Sequence, residues 1–159
     1  MNVFDSIGNR FRRAAVSTPK ATQRIMSEAA DRIVEGIKAR APVDTGALRN
    51  SVRQHTDIEH RRVTSYIVAD AANEKSGDEY AVFLEMGTGL FAENGDGRKT
   101  PWVYQDRHGN WHYTRGMKPR PFIRPAVAAE LPRLNEELRR EVRTVLLEGD
   151  YRHTGGGRT

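Results

Sequence analysis

Asp44-Thr45-Gly46, followed by Ala47, spells the catalytic tripeptide of aspartic proteases in its retroviral form. In a homodimeric protease two such carboxylates share one proton, which requires an apolar, tightly held setting after a run of hydrophobic strand residues. Here Ala41-Pro42-Val43 joins the tripeptide directly to a helical segment, and Arg49 follows closely enough to hold Asp44 ionised instead of shared. No second apolar strand leading to a glycine follows at a plausible place. The alternative is a turn. Aspartate and threonine side chains cap local backbone N–H groups, and glycine takes the positive φ that reverses a chain from helix into strand.

The other candidate chemistry is weaker. Gly97-Arg98-Lys99-Thr100 lies in a glycine-rich loop but lacks the contiguous Gly-Lys-Ser/Thr of a phosphate cradle, and no strand-loop-helix context surrounds it. The surroundings of Asp96 miss the alternating oxygen ligands of a calcium loop. His108 and His112 flank a hairpin tip, with Asp106 as the sole further ligand candidate. A two-residue turn at Gly109-Asn110 would pair Arg107 with His112 and put the two rings on different cross-strand pairs. The expectation is therefore no catalytic residue, no cofactor and no metal.

Composition narrows the class. The chain has no cysteine, which removes disulfides, zinc ribbons and thiol nucleophiles and fits assembly in a reducing cytoplasm. No run reaches the ~18 apolar residues of a membrane span, and the first residues carry no signal core, so a soluble, unexported protein without a membrane partner is expected. The formal net charge of +5 is interspersed, as in Glu136, Glu137, Arg139, Arg140, Glu141 and Arg143. Such alternation reads as a solvated helix face. A basic nucleic-acid-binding module would also carry this balance, but no Lys/Arg block or aromatic-basic stripe accompanies it.

The elements that must position these residues read as α+β. Phe4, Ile7 and Phe11 permit a short amphipathic arm over residues 1–17. Thr18-Pro19 supplies an N-cap and a first-turn proline for a helix with Ile25, Ala29, Ile33 and Ile37 on one face, ending near Arg40 because Pro42 follows. Leu48, Val52 and Ile58 form an imperfect strand pattern, and residues 61–70 a better one, with Val63, Ile67 and Ala69 opposite Thr64, Tyr66 and Val68. The two should pair as antiparallel neighbours after which comes the polar loop 73–79. Residues 80–88 are a buried strand or a single helical turn. A glycine-rich loop and a hairpin form an excursion over 87–116. The strongest stripe, Val127, Leu131, Leu134, Leu138, Val142 and Val145, defines a long last helix, expected to kink or restart at Pro132 and to pack on the sheet. One domain over 18–148, an antiparallel sheet packed against two long helices, would be followed by a flexible tail at 149–159.

Three segments in this order, RAPVDTGALRNSV at 40–52, YAVFLEMGTG at 80–89 and GMKPRPFIRPAV at 116–127, resemble the tail-completion or head–tail joining proteins of long-tailed bacteriophages, a minor tail component family. The resemblance covers about residues 20–147. It implies a small α+β subunit that is not an enzyme. Asp44, Thr45 and Gly46 match the family's helix-to-strand corner; Glu85, Gly87 and Thr88 match its second signature; Pro119, Pro121, Phe122, Arg124 and Pro125 match its third. Prolines stiffen the entry to the last helix, Phe122 can anchor it, and Arg124 is placed to meet a carboxylate such as Glu85 or Asp44. The resemblance further implies a virion protein, built in the host cytoplasm, that forms a ring, often a hexamer, at the head-proximal end of the tail tube. Its partners would be itself, the head connector or stopper, and the tail tube or tail terminator. Genome DNA would pass through the lumen without sequence readout. The hairpin aromatics Trp102, Tyr104, Trp111 and Tyr113 exceed what a two-stranded excursion can bury alone, and are expected to contact a neighbouring subunit or partner.

Overall fold

The computed structural model of the protein describes residues 3–60, 62–71, 80–106 and 108–151. The loop 73–79 and most of the segment expected as a flexible tail, 152–159, lie outside the described residues, as do the side chains of Phe4, Ile7 and Phe11. The fold is α+β. Helix α1 (Val3–Arg40) leads through a short helix α2 (Ala47–Ser51) into strands β1 (Val52–Glu59) and β2 (Arg62–Ala69). Then come α3 (Ala81–Met86), a 3-10 turn (Gly89–Phe91), strands β3 (Trp102–Gln105) and β4 (Trp111–Thr114), and the last helix α4 (Ile123–Tyr151). β1 pairs with β2 and β3 with β4, each couple a two-stranded antiparallel sheet.

Three local expectations are corrected. Pro19 lies inside α1, so the helix begins at Val3 and not at Thr18. The missing N–H forfeits one backbone bond, a cost that a 38-residue helix tolerates while its neighbours keep theirs. Pro132 likewise lies within a continuous α4, so the helix does not restart there, and the carbonyl that Pro132 cannot serve, that of Ala128, belongs to an exposed residue that water can reach. Leu48 belongs to a helical turn and not to a strand, because Gly46 adopts φ 82° and its carbonyl accepts the N–H of Asn50. The chain thus turns from helix to helix to strand.

The chain divides into two compact units. One comprises residues 1–34, 54–67 and 128–159. Within it Ile25, Ala29, Ala30, Ile33 and Val34 of α1 are buried, and Arg32 reaches α4 by a guanidinium that donates to both Glu130 (2.7 Å) and Glu137 (2.8 Å). Gln54 of β1 donates to Ser27 and Asp31 of α1, and the hydroxyls of Thr56 and Ser65 meet across the β1–β2 pair.

The other unit comprises residues 35–53 and 68–127. Its core is Ile37, Ala41, Leu48, Val52, Ala71, Ala81, Phe122 and Ala126, with Phe122 and Ile37 wholly inaccessible. Gly36 of α1 lies against Ala126 of α4 closely enough that an added Cβ would touch the alanine methyl at 3.3 Å. Small residues at both positions let the two backbones approach.

The stripe of α4 does not behave as its periodicity predicts. No member from Val127 to Val145 is fully buried, and Leu131, Val142, Leu146 and Leu147 are exposed. Periodicity locates an apolar face, whereas burial needs a partner surface of matching length.

Candidate functional site

The second unit is organised around one buried carboxylate. Glu85, on α3, is 6 % exposed and is the one buried charged residue among those described. Its Oε2 accepts the backbone N–H groups of Phe122 (2.7 Å) and Ile123 (2.9 Å), and its Oε1 accepts the N–H of Arg124 (3.0 Å). These are the donors that the first turn of α4 cannot satisfy itself. Pro125, next in the turn, has no N–H to satisfy. A carboxylate at a helix N-terminus also meets the positive end of the helix dipole. Burial by itself would raise the Glu85 carboxyl; the N–H donors of residues 122–124 and the Arg124 guanidinium outweigh it and hold the group below its ordinary value.

Arg124 completes the arrangement. Its Nε donates to Glu85 Oε1 (2.9 Å), one terminal nitrogen to the Glu85 carbonyl (3.1 Å), and both terminal nitrogens to Glu93 (2.7 and 3.0 Å). Of the two carboxylates anticipated for Arg124, Glu85 meets it. The second carboxylate that Arg124 meets, Glu93, lies within the glycine-rich loop, whose path no local pattern predicts. Its hydrogen bonds to Glu93 and Glu85 strengthen the protonated guanidinium, and Glu93 is in turn held below its ordinary value chiefly by Arg124.

The backbone laces the same two signatures together. The N–H groups of Thr88 and Leu90 donate to the carbonyls of Met117 and Arg115, each at 2.9 Å, and that of Arg120 donates to Leu84 (2.7 Å). The Met117 N–H returns to the Thr88 hydroxyl at 2.9 Å. Such contact leaves no room for side chains. A Cβ at Gly116 would collide with the Thr88 carbonyl, and one at Gly87 would lie 2.8 Å from the Met117 and Phe91 carbonyl oxygens and from the ring of Pro119. Both glycines have positive φ, 119° and 76°. Pro121 leads into this junction, and Phe122 fills the core beneath it.

Asp44, Thr45 and Gly46 form an exposed to half-exposed corner before α2, where the Thr45 hydroxyl accepts the Ala47 N–H at 3.3 Å. An exposed corner offers none of the apolar enclosure that a proton-sharing carboxylate pair requires.

The same unit carries the β3–β4 hairpin. Its register pairs Trp102 with Thr114, Val103 with Tyr113, Tyr104 with His112 and Gln105 with Trp111. The two-residue turn at Gly109-Asn110 is therefore corrected to a five-residue loop, Asp106 to Asn110. Asp106 builds it: its carboxylate accepts the N–H groups of His108 and Asn110 and the Asn110 amide, and meets His112 Nε2 at 2.8 Å. His112, the largest influence, and these amide donors hold the Asp106 carboxyl far below its ordinary value. No group of three or more His, Cys, Asp or Glu placed to hold a metal occurs among the described residues. The four aromatics divide between two faces. Trp102 lies under the guanidinium of Arg98 at 5.5 Å and Tyr104 stacks on His112 at 5.3 Å, whereas Trp111 (70 % exposed) and Tyr113 (67 %) share the opposite face with Val103 and are uncovered.

The family model described as "Bacteriophage HK97-gp10, putative tail-component" matches residues 5–87. The chain belongs to the HK97-gp10-like family. No curated protein and no solved structure matches it. As an HK97-gp10-like protein it is a bacteriophage tail component, a constituent of the virion that works against other head or tail proteins. No helix among the described residues is long and apolar enough to cross a membrane.

The matched residues include the Asp44-Thr45-Gly46 corner, Glu85 and Gly87, and stop before the hairpin and before Phe122 and Arg124. The HK97-gp10-like match thus ends on the carboxylate side of the clamp, and the arginine side is supplied by the part of the chain beyond it. Gly116, quoted in the third signature, was not recognised as a contact residue. Glycine in a short loop has many uses, and only its distant neighbour Thr88 reveals this one.

Proposed function

We propose that this tail component completes the tail and joins it to the head connector, as a ring of identical subunits at the head-proximal end of the tail tube. The observation that carries this reading is the hairpin face of Trp111, Tyr113 and Val103, a solvent-facing apolar surface whose strand β4 runs directly into the backbone hydrogen bonds of the clamp. Large exposed aromatics on a held platform suit an interface, because ordering them on binding costs little further entropy. The clamp itself supports association over catalysis: each of its polar groups is engaged in holding α4, and Asp44 stands at an exposed corner.

A ring places one patch of each subunit against a different patch of the next, and leaves other surfaces for the connector or stopper on one side and the tail tube or terminator on the other. Genome DNA would pass through the lumen, attracted by charge without base readout. The test is complementation. Phage lacking the protein should accumulate filled heads and finished tails that remain separate in electron micrographs, and adding the purified protein to that mixture should join them. Joined, infectious particles formed without it would overturn the proposal.

A further inference from the structure

Among the uncovered apolar surfaces of the described residues, two differ in kind. One is the flat hairpin face of Val103, Trp111 and Tyr113, which carries no formal charge. The other is a shallow groove along the last turns of α4, floored by Leu138, Val142, Leu146 and Leu147 and flanked by Arg139 and Arg143. We propose that the hairpin face of one subunit seats in the α4 groove of the next copy of this chain, an assignment that rests on the ring reading above.

Three considerations select a second copy and this pairing. Groove against groove would bring the Arg139 and Arg143 guanidinium groups of two subunits together with no counter-charge from the leucines between them. Hairpin against hairpin would leave every groove exposed. Hairpin against groove covers both surfaces and lays aromatic faces beside guanidinium groups, an attractive arrangement that the chain already uses where Arg98 sits over Trp102.

Size then fixes the mode of assembly. Two large aromatics and a valine offer roughly 400–500 Å², short of the ~800 Å² per partner of a stable pairwise interface. One such contact is too small to hold a free dimer. An open chain of subunits always leaves one hairpin and one groove unsatisfied at its ends, and closure satisfies both. Assembly by this contact in a ring is accordingly cooperative, and a dimer joined by a single contact is sparse at low concentration.

The absence of native cysteine makes the contact directly trappable. Tyr113→Cys and Val142→Cys, made in separate, differently tagged full-length chains, are mixed at high concentration under mild oxidation. The proposal expects the mixed disulfide to dominate over both homodimers, the double variant to give a ladder ending in a closed species, and Trp111→Ala to reduce the mixed product by at least roughly tenfold, as for a central aromatic anchor. Dominant homodimers, no cross-link, or a product indifferent to Trp111→Ala would each overturn it. The joining assay separates this from the ring reading. If wild-type protein joins heads to tails while the mixed disulfide never forms, the contact is wrong and the function stands; if the disulfide forms but joining never occurs, the contact stands and the function is wrong.

Discussion

Glu85 Oε1 accepts from Arg124 twice, from its backbone N–H at 3.0 Å and from its side-chain Nε at 2.9 Å. The same residue is therefore both the start of α4 and the counter-ion of the carboxylate that caps it. Removing Glu85 leaves two backbone donors at residues 122 and 123, and those of Arg124, without their acceptor. Glu85→Ala should cost ~2–5 kcal/mol, the range for breaking a buried charged network. Glu85→Gln, which keeps one acceptor oxygen, should cost less. Urea unfolding followed by circular dichroism measures both, and equal small losses would show that the carboxylate is dispensable.

The clamp also sets a pH dependence. The Glu85 carboxyl is lower in the folded chain than its ordinary value. A depressed carboxyl contributes stability that is present above the unfolded value of ~4.3 and is lost as pH falls through the folded value. The stability gap between wild type and Glu85→Gln should be widest near neutral pH and shrink progressively below about pH 4. Denaturant titrations of both proteins across that range give the gap directly. A gap independent of pH would mean that the ionised form is not what α4 requires.

Gly116 and Gly95 both have positive φ, but a Cβ at Gly95 meets nothing within 4 Å, whereas one at Gly116 runs into Thr88 backbone. Gly95→Ala should cost the left-handed conformation alone, about 1–2 kcal/mol. Gly116→Ala should add an overpacking cost of about 1–3 kcal/mol, because two backbone segments must separate. Thermal melts of the two variants side by side test the difference.

Phe122 and Ile37 are inaccessible, while Leu147 of the last helix is 60 % exposed. Phe122→Ala should cost ~3–5 kcal/mol and Ile37→Ala ~2–5 kcal/mol. Leu147→Ala should stay within ~0.5 kcal/mol in the isolated chain. A large loss at Leu147 would mean that the end of α4 is core and not a surface left for a neighbour.

The sequence by itself determined what depends on neighbours along the chain: helical spacing in α1 and α4, alternation in β2, and an α+β composition of elements. It also marked Arg124, among prolines, as a cation due to meet a carboxylate, with Glu85 and Asp44 both open as partners. What it could not supply was the partner's geometry. Helical spacing continued through Pro19 and Pro132 because a long helix absorbs one missing hydrogen bond, a balance that the proline alone does not reveal. The hairpin register turned on the Asp106 side chain gathering donors from His108, Asn110 and His112, and a preference for Asn-Gly-type tips carries no information about that cluster. The strongest apolar stripe proved to be half-buried to exposed and the shorter one on α1 core, because hydrophobicity identifies a face to be covered, whereas the tertiary structure decides how much of the cover comes from the same chain.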